Sequence, residues 1–120
     1  MNCPYCNGTM QLRDSDVIYG RSYGMVWFCE NWPGCDAFVG CHKGTDKPLG
    51  TPANGVLRNW RKRCHGLFDE LWKSRRMTRR GAYDWMAEQL GIPVDQAHIA
   101  LLSLEQCQQL HNALIEEGCP

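Results

Sequence analysis

Two short cysteine pairs constrain this chain more than any other feature. They are Cys3-x2-Cys6 within CPYC and Cys29-x5-Cys35 within CENWPGC, separated by residues 7–28. Tetrahedral binding of a soft metal ion needs four ligands that converge from different directions, and two tight turns joined by a β-hairpin deliver thiolates at such angles. Pro4 and Gly8 suit the first turn, and Pro33-Gly34 suits the second. Cys3, Cys6, Cys29 and Cys35 are therefore expected to hold one structural Zn2+ in a closed site with no position for water. Such an ion contributes on the order of 10 kcal/mol of apparent binding energy, which a small β-module needs. The alternatives are a disulfide framework among the eight cysteines, or cysteines acting as small buried hydrophobes. The opening MNCPYCNGTM has neither a basic nor an apolar leader region, so a cytoplasmic setting with reduced thiols is expected.

The chain is expected to be α+β: an N-terminal antiparallel β zinc ribbon packed against a small helical C-terminal part. Residues 1–42 read as short strands, TMQLR (9–13), VIY (17–19), MVWFC (25–29) and AFVGC (37–41), punctuated by Gly20 and Gly24. Residues 43–53 form a connecting loop rich in glycine and proline. From Asn54 the period changes, and residues 54–120 read as mainly helical, one compact unit with the ribbon. Val56, Leu57, Trp60, Cys64, Leu67, Leu71 and Trp72 recur every three or four residues, as on a helix burying one face. Asn54 is its expected N-cap, and Gly66 is a point where it would kink or split. A second helix is expected from Thr78 to Gly91, and HIALL (98–102) as a short strand. Ser103 and Gln106 make a capping box for a last helix that Gly118 ends. No apolar run approaches the roughly 18 residues of a membrane span.

Zero net charge hides an uneven distribution. Residues 56–80 carry nine basic and two acidic side chains, a net +7, whereas residues 81–120 carry six acidic and no Lys or Arg, a net −6. The cluster Arg58, Arg61, Lys62, Arg63, Arg75, Arg76, Arg79 and Arg80 is the electrostatic footprint expected for a phosphate backbone. Tyr23 and Trp27 in the ribbon are candidate platforms for stacking bases. Because a strand alternates faces, Trp27 and Phe28 point opposite ways. The competing expectation is that the arginines pair with the acidic third, within the fold or in a homo-oligomer.

His42, His65 and His98 are candidates for a second polar or metal site, with Cys41 and Cys64 adjacent to two of them. The plainer reading makes Cys41 and Cys64 core residues and the histidines hydrogen-bonding groups. His111 reads as a surface residue, and Cys107 and Cys119 as unligated. No nucleophile elbow, phosphate-cradling glycine loop or H-E-x-x-H is present, so no catalytic residue is assigned and a binding role is expected rather than an enzyme.

CPYC…YGMVWFCENWPGC resembles the four-cysteine zinc ribbons at the C-terminal end of bacterial type I topoisomerases, with Trp32-Pro33 in the aromatic-proline place. That resemblance, over residues 3–38, implies binding of single-stranded DNA. VIYGRSYGMVWFCENWPGCDAFVGCHKGT, PLG, CHGLFDELW and AYDWMAEQLGIP…HIALL together resemble a family of small zinc-finger-containing proteins of bacteriophages and prophages. This longer resemblance implies a phage-type accessory protein in the host cytoplasm. The leading expectation is a binder of single-stranded DNA with little sequence preference. The alternative is an effector that binds and inhibits a host protein such as a defence enzyme, its acidic third mimicking nucleic acid. The third is a metal-dependent nuclease built on His42, His65 and His98.

Overall fold

The computed structural model describes residues 1–118, so Cys119 lies outside them. The fold is α+β, a three-stranded antiparallel sheet followed by helices. The chain divides into two compact units, Met1–Val56 and the remainder from Leu57. Among the described residues no helix is long and apolar enough to cross a membrane.

In the first unit, β1 (Met10–Asp14), β2 (Met25–Cys29) and β3 (Phe38–Gly40) pair in that order. The register sets Met10 opposite Cys29, and Leu12 opposite Trp27, which in turn meets Val39. These residues share one face; Phe28, paired with Gln11 and Phe38, lies on the other. The first face leads to a buried cluster of Cys3, Met10, Cys29 and Ala37, against which Trp27 and Cys35 pack.

The expected strand VIY is instead the short helix α1 (Asp16–Tyr19). Local polar bonds outweigh its β-propensity. The Asp14 carboxylate accepts from the Asp16 N–H at 3.0 Å and from the Ser22 hydroxyl at 2.9 Å. The buried Ser15 Oγ accepts from the Tyr23 N–H at 2.6 Å. Gly20 closes the turn at φ 75°, where a side chain would be strained.

Helix α2 (Gly55–Lys73) begins in the first unit, where the Asp36 carboxylate accepts from the Gly55 N–H at 3.1 Å. It runs unbroken through Gly66, because burial of Leu57, Cys64, Phe68 and Leu71 outweighs the roughly 1 kcal/mol penalty of one helical glycine. Phe68, rather than Leu67, joins Cys64 and Leu71 as a fully buried member of that stripe, and Val56 is exposed. Helix α3 (Arg79–Leu90) is capped by Thr78, whose Oγ1 accepts from the Gly81 N–H at 3.0 Å, and ends on left-handed Gly91.

HIALL is not a strand. Ile99–Leu101 form a 3-10 turn that buries Ile99 and Leu102 and leaves Leu101 exposed. The turn satisfies its own backbone, with the Leu101 N–H donating to the His98 carbonyl at 2.8 Å. Helix α4 (Leu104–Glu116) opens on the expected capping box. The Ser103 Oγ accepts from the Gln106 N–H at 3.2 Å, and Gln106 Oε1 accepts from the Ser103 N–H at 2.9 Å. Replacing Ser103 with alanine is expected to lower stability by about 1 kcal/mol, read as a downward shift of the urea midpoint at unchanged slope.

Candidate metal centre and charged surface

Each cysteine pair sits in a turn built by its own backbone. In the first, the Cys3 N–H donates to the Gly8 carbonyl at 2.7 Å and the Asn7 N–H to the Cys3 carbonyl at 2.9 Å, with Asn7 at φ 62°. In the second, the Trp32 N–H donates to the Cys29 carbonyl and the Cys35 N–H to the Asn31 carbonyl, both at 3.0 Å. The Glu30 N–H, bonded to the Thr9 carbonyl at 2.9 Å, ties the two turns together.

The result is a cluster of Cys3, Cys6, Cys29 and Cys35 whose four Sγ atoms all lie within 4.8 Å of one another. Cys6 and Cys29 are 3.3 Å apart and Cys3 and Cys35 are 3.6 Å apart. A tetrahedron with metal–sulfur bonds of about 2.3 Å has edges of about 3.8 Å, whereas a disulfide needs about 2.05 Å. The cluster is thus sized for a metal ion, and all the described cysteines are free thiols. Four sulfur donors with none left for a substrate make a closed, structural arrangement.

The four thiols are not equivalent. Cys3 and Cys29 are buried, Cys35 is partly so, and Cys6 is exposed. Burial pushes the Cys29 thiol up to about 12. The Asn31 side chain, then the Gly8 backbone and the Cys29 thiol, bring Cys6 down to about 6.

Asn31 escaped the sequence reading. Its backbone N–H donates to Cys29 Sγ and its side-chain Nδ2 to Cys6 Sγ, both at 3.4 Å. The available signal was its place two residues beyond Cys29 in CEN. Gly8 leaves it room: a Cβ there would stand 2.9 Å from Asn31 Nδ2 and 3.4 Å from Cys29 Sγ.

Among the described residues no second cluster of three or more metal-ligating side chains occurs. His65 Nδ1 lies 3.2 Å from the Asp69 carboxylate one helical turn on, which also accepts from Trp72 Nε1 at 3.3 Å. His98 sits beside Tyr83, with ring centroids 5.9 Å apart. His42 lies in a turn, its carbonyl accepting from Thr45. Cys64 and Cys107 are core residues. The Cys64 thiol donates to the Cys107 carbonyl at 3.1 Å, and the neighbouring Cys107 side chain, with burial, pushes its pKa far up. Burial, aided by Asp46, also raises Cys41.

The basic residues have several different surroundings. Arg61 donates from Nε (3.1 Å) and Nη2 (2.8 Å) to the Leu102 carbonyl, an internal clamp just before α4. Arg63 lies over Trp60 at 5.0 Å. Arg76 bonds the Glu117 carbonyl and stands 3.8 Å from its carboxylate, so part of the expected pairing with the acidic third exists. Lys73 stands 3.8 Å from Asp69 and 5.6 Å over Trp72. Arg79 lies over both Trp72 (5.3 Å) and Tyr83 (6.0 Å). Lys62, Arg75 and Arg80 are exposed, Arg75 at φ 65° in the turn between α2 and α3. Arg58 is half-buried near the start of α2.

In the sheet unit Tyr23 is 69% exposed, with Arg21 over its ring at 5.9 Å. Trp27 is partly buried against the thiol cluster and donates from Nε1 to the Asp46 carbonyl at 2.7 Å. Tyr19, one of the ribbon's aromatic residues, ends the short helix α1 rather than a strand. It meets Tyr23 edge-on at 5.6 Å and Phe38 at 6.1 Å, and Trp32 extends the row at 5.8 Å from Phe38.

A family model described as a zinc-finger-containing domain matches residues 1–117. No curated protein and no solved structure matches the chain.

Proposed function

The chain belongs to the zinc-finger-containing domain family, and from that premise we propose that its four thiolates hold one structural Zn2+ and that the protein binds single-stranded DNA with little sequence preference. The observation that carries the nucleic-acid reading is the corner between α2 and α3. Lys73, Arg75, Arg76, Arg79 and Arg80 fall within one exposed stretch, and the first turn of α3 holds no acidic residue. Arg75 and Arg80 have no acidic partner among the described residues. Arg79 is held over Trp72 and Tyr83, which fixes its charge at the surface at small entropic cost. Arg75, Arg79 and Arg80 suit phosphates, which give affinity without reading sequence. The exposed tyrosines of the ribbon suit base stacking, also tolerant of sequence. A four-sulfur site favours zinc over harder divalent ions.

The test is fluorescence anisotropy with a mixed-sequence single-stranded oligonucleotide across a salt series. Replacing Arg75 and Arg80 together with glutamine is expected to weaken binding several-fold at low salt and to flatten the log–log salt slope by roughly 1.4, about 0.7 per lost phosphate contact. Binding that ignores both salt and the double substitution would remove this reading. A phage origin, which the wider resemblance suggests, is consistent with a small accessory DNA binder.

A further inference from the structure

The metal centre has one open corner. Cys3 is 2% and Cys29 0% exposed, Cys35 is intermediate, and Cys6 alone of the four is exposed. Its sulfur lies 3.3 Å from Cys29 Sγ, the shorter of the two thiol contacts. The Asn31 amide, wedged in the space Gly8 leaves, donates to this exposed sulfur.

We propose that Cys6 is the oxidant-sensitive gate of the metal centre: a two-electron oxidant of the peroxide class attacks there, and closure of a Cys6–Cys29 disulfide releases the ion. The inference rests on the metal reading above. In the first step the Cys6 thiolate attacks hydrogen peroxide; an S–O bond forms, the O–O bond breaks and hydroxide leaves. In the second the Cys29 thiolate attacks the Cys6 sulfur; an S–S bond forms, the S–O bond breaks and a second hydroxide leaves. Two thiolates lose two electrons in all, and the peroxide gains them. The disulfide withdraws two of the four sulfurs that would hold the ion, and a dithiol reductant would restore them. Access selects the sulfur that reacts first, because two of the four are buried, Cys35 is partly so and Cys6 alone is exposed.

Asn31 is a positioning residue for this step. Its side-chain Nδ2–H occupies a lone pair of the Cys6 sulfur, which moderates the attack of that thiolate.

The experiment treats the zinc-loaded full chain with hydrogen peroxide, follows release with a chromophoric zinc chelator and maps the disulfide by mass spectrometry. A Cys6–Cys29 disulfide forming with release is the expected result. Cys6→His keeps four donors for zinc but offers no sulfur at the corner, so release is expected to slow roughly tenfold or more. Cys35→His, a control with the same donor change, is expected to release at the parent rate, and Asn31→Ala several-fold faster. A first disulfide between Cys3 and Cys35, or release from Cys6→His at the parent rate, overturns the proposal. If a chain that carries no zinc still closes Cys6–Cys29 first, Cys6 is the first sulfur oxidised but the metal reading fails, and the release of an ion fails with it.

Discussion

Replacing Cys29 with serine is expected to empty the metal centre and unfold the sheet unit. Cys29 is fully buried, pairs with Met10 across β1 and β2, and closes the shorter thiol contact of the cluster. A serine hydroxyl is a poor donor to a soft ion, and three remaining sulfurs leave the site open. The loss is on the order of the whole ion's contribution, about 10 kcal/mol, because metal binding and folding are one equilibrium in so small a module. A three-stranded sheet with a few buried residues has no comparable reserve. Elemental analysis is expected to give one zinc per parent chain and none in the variant, and near-ultraviolet circular dichroism to lose the Trp27 and Phe28 signal. A variant that stays folded without metal would make the thiol cluster an ordinary core.

The same site is expected to release its ion on acidification. Burial holds the Cys29 thiol near 12 in the metal-free state, so the ion displaces a proton there at neutral pH, and protons displace the ion as pH falls. Cys6, lowered by the Asn31 side chain, gives up its proton more readily. Zinc retained per chain after desalting at successive pH values, measured by elemental analysis, reads the crossover.

The second large effect is expected at Phe68. Its side chain is fully buried in α2 and meets Tyr83 of α3 edge-on, with centroids 5.0 Å apart. Truncation to alanine is expected to cost about 3–5 kcal/mol, from lost burial plus the cavity left behind. For a helical unit of this size that is a large share of total stability. Urea unfolding followed at 222 nm is expected to show a much lower midpoint; a change below about 1 kcal/mol would mean that this face is not the core.

Much of the local structure was legible because its causes are local. The clustering of the four cysteines follows from spacing and turn residues, and Thr78, Gly91 and the Ser103–Gln106 box marked helix ends through bonds spanning three or four residues. The misreadings came where short-range signals competed. VIY has the composition of a strand, but Asp14, Ser15 and Ser22 offer its backbone a turn. HIALL has the same composition, and its turn buries Ile99 and Leu102 while satisfying its own backbone groups. Gly66 reads as a breaker, and burial on both sides of it overrides that preference.

By itself, then, the sequence determined that four thiolates converge, since covalent spacing and turn geometry bring each pair together and the hairpin brings the pairs together. Tertiary structure decided which thiol faces solvent, that Asn31 rather than a backbone group alone meets Cys6, and that Tyr19 joins Tyr23 and Phe38 in one row. It also turned Arg61 from a surface charge into a clamp on Leu102, 41 residues away. Such roles depend on what distant segments bury or leave open, and burial is a property of the packed chain, which no short window of sequence contains.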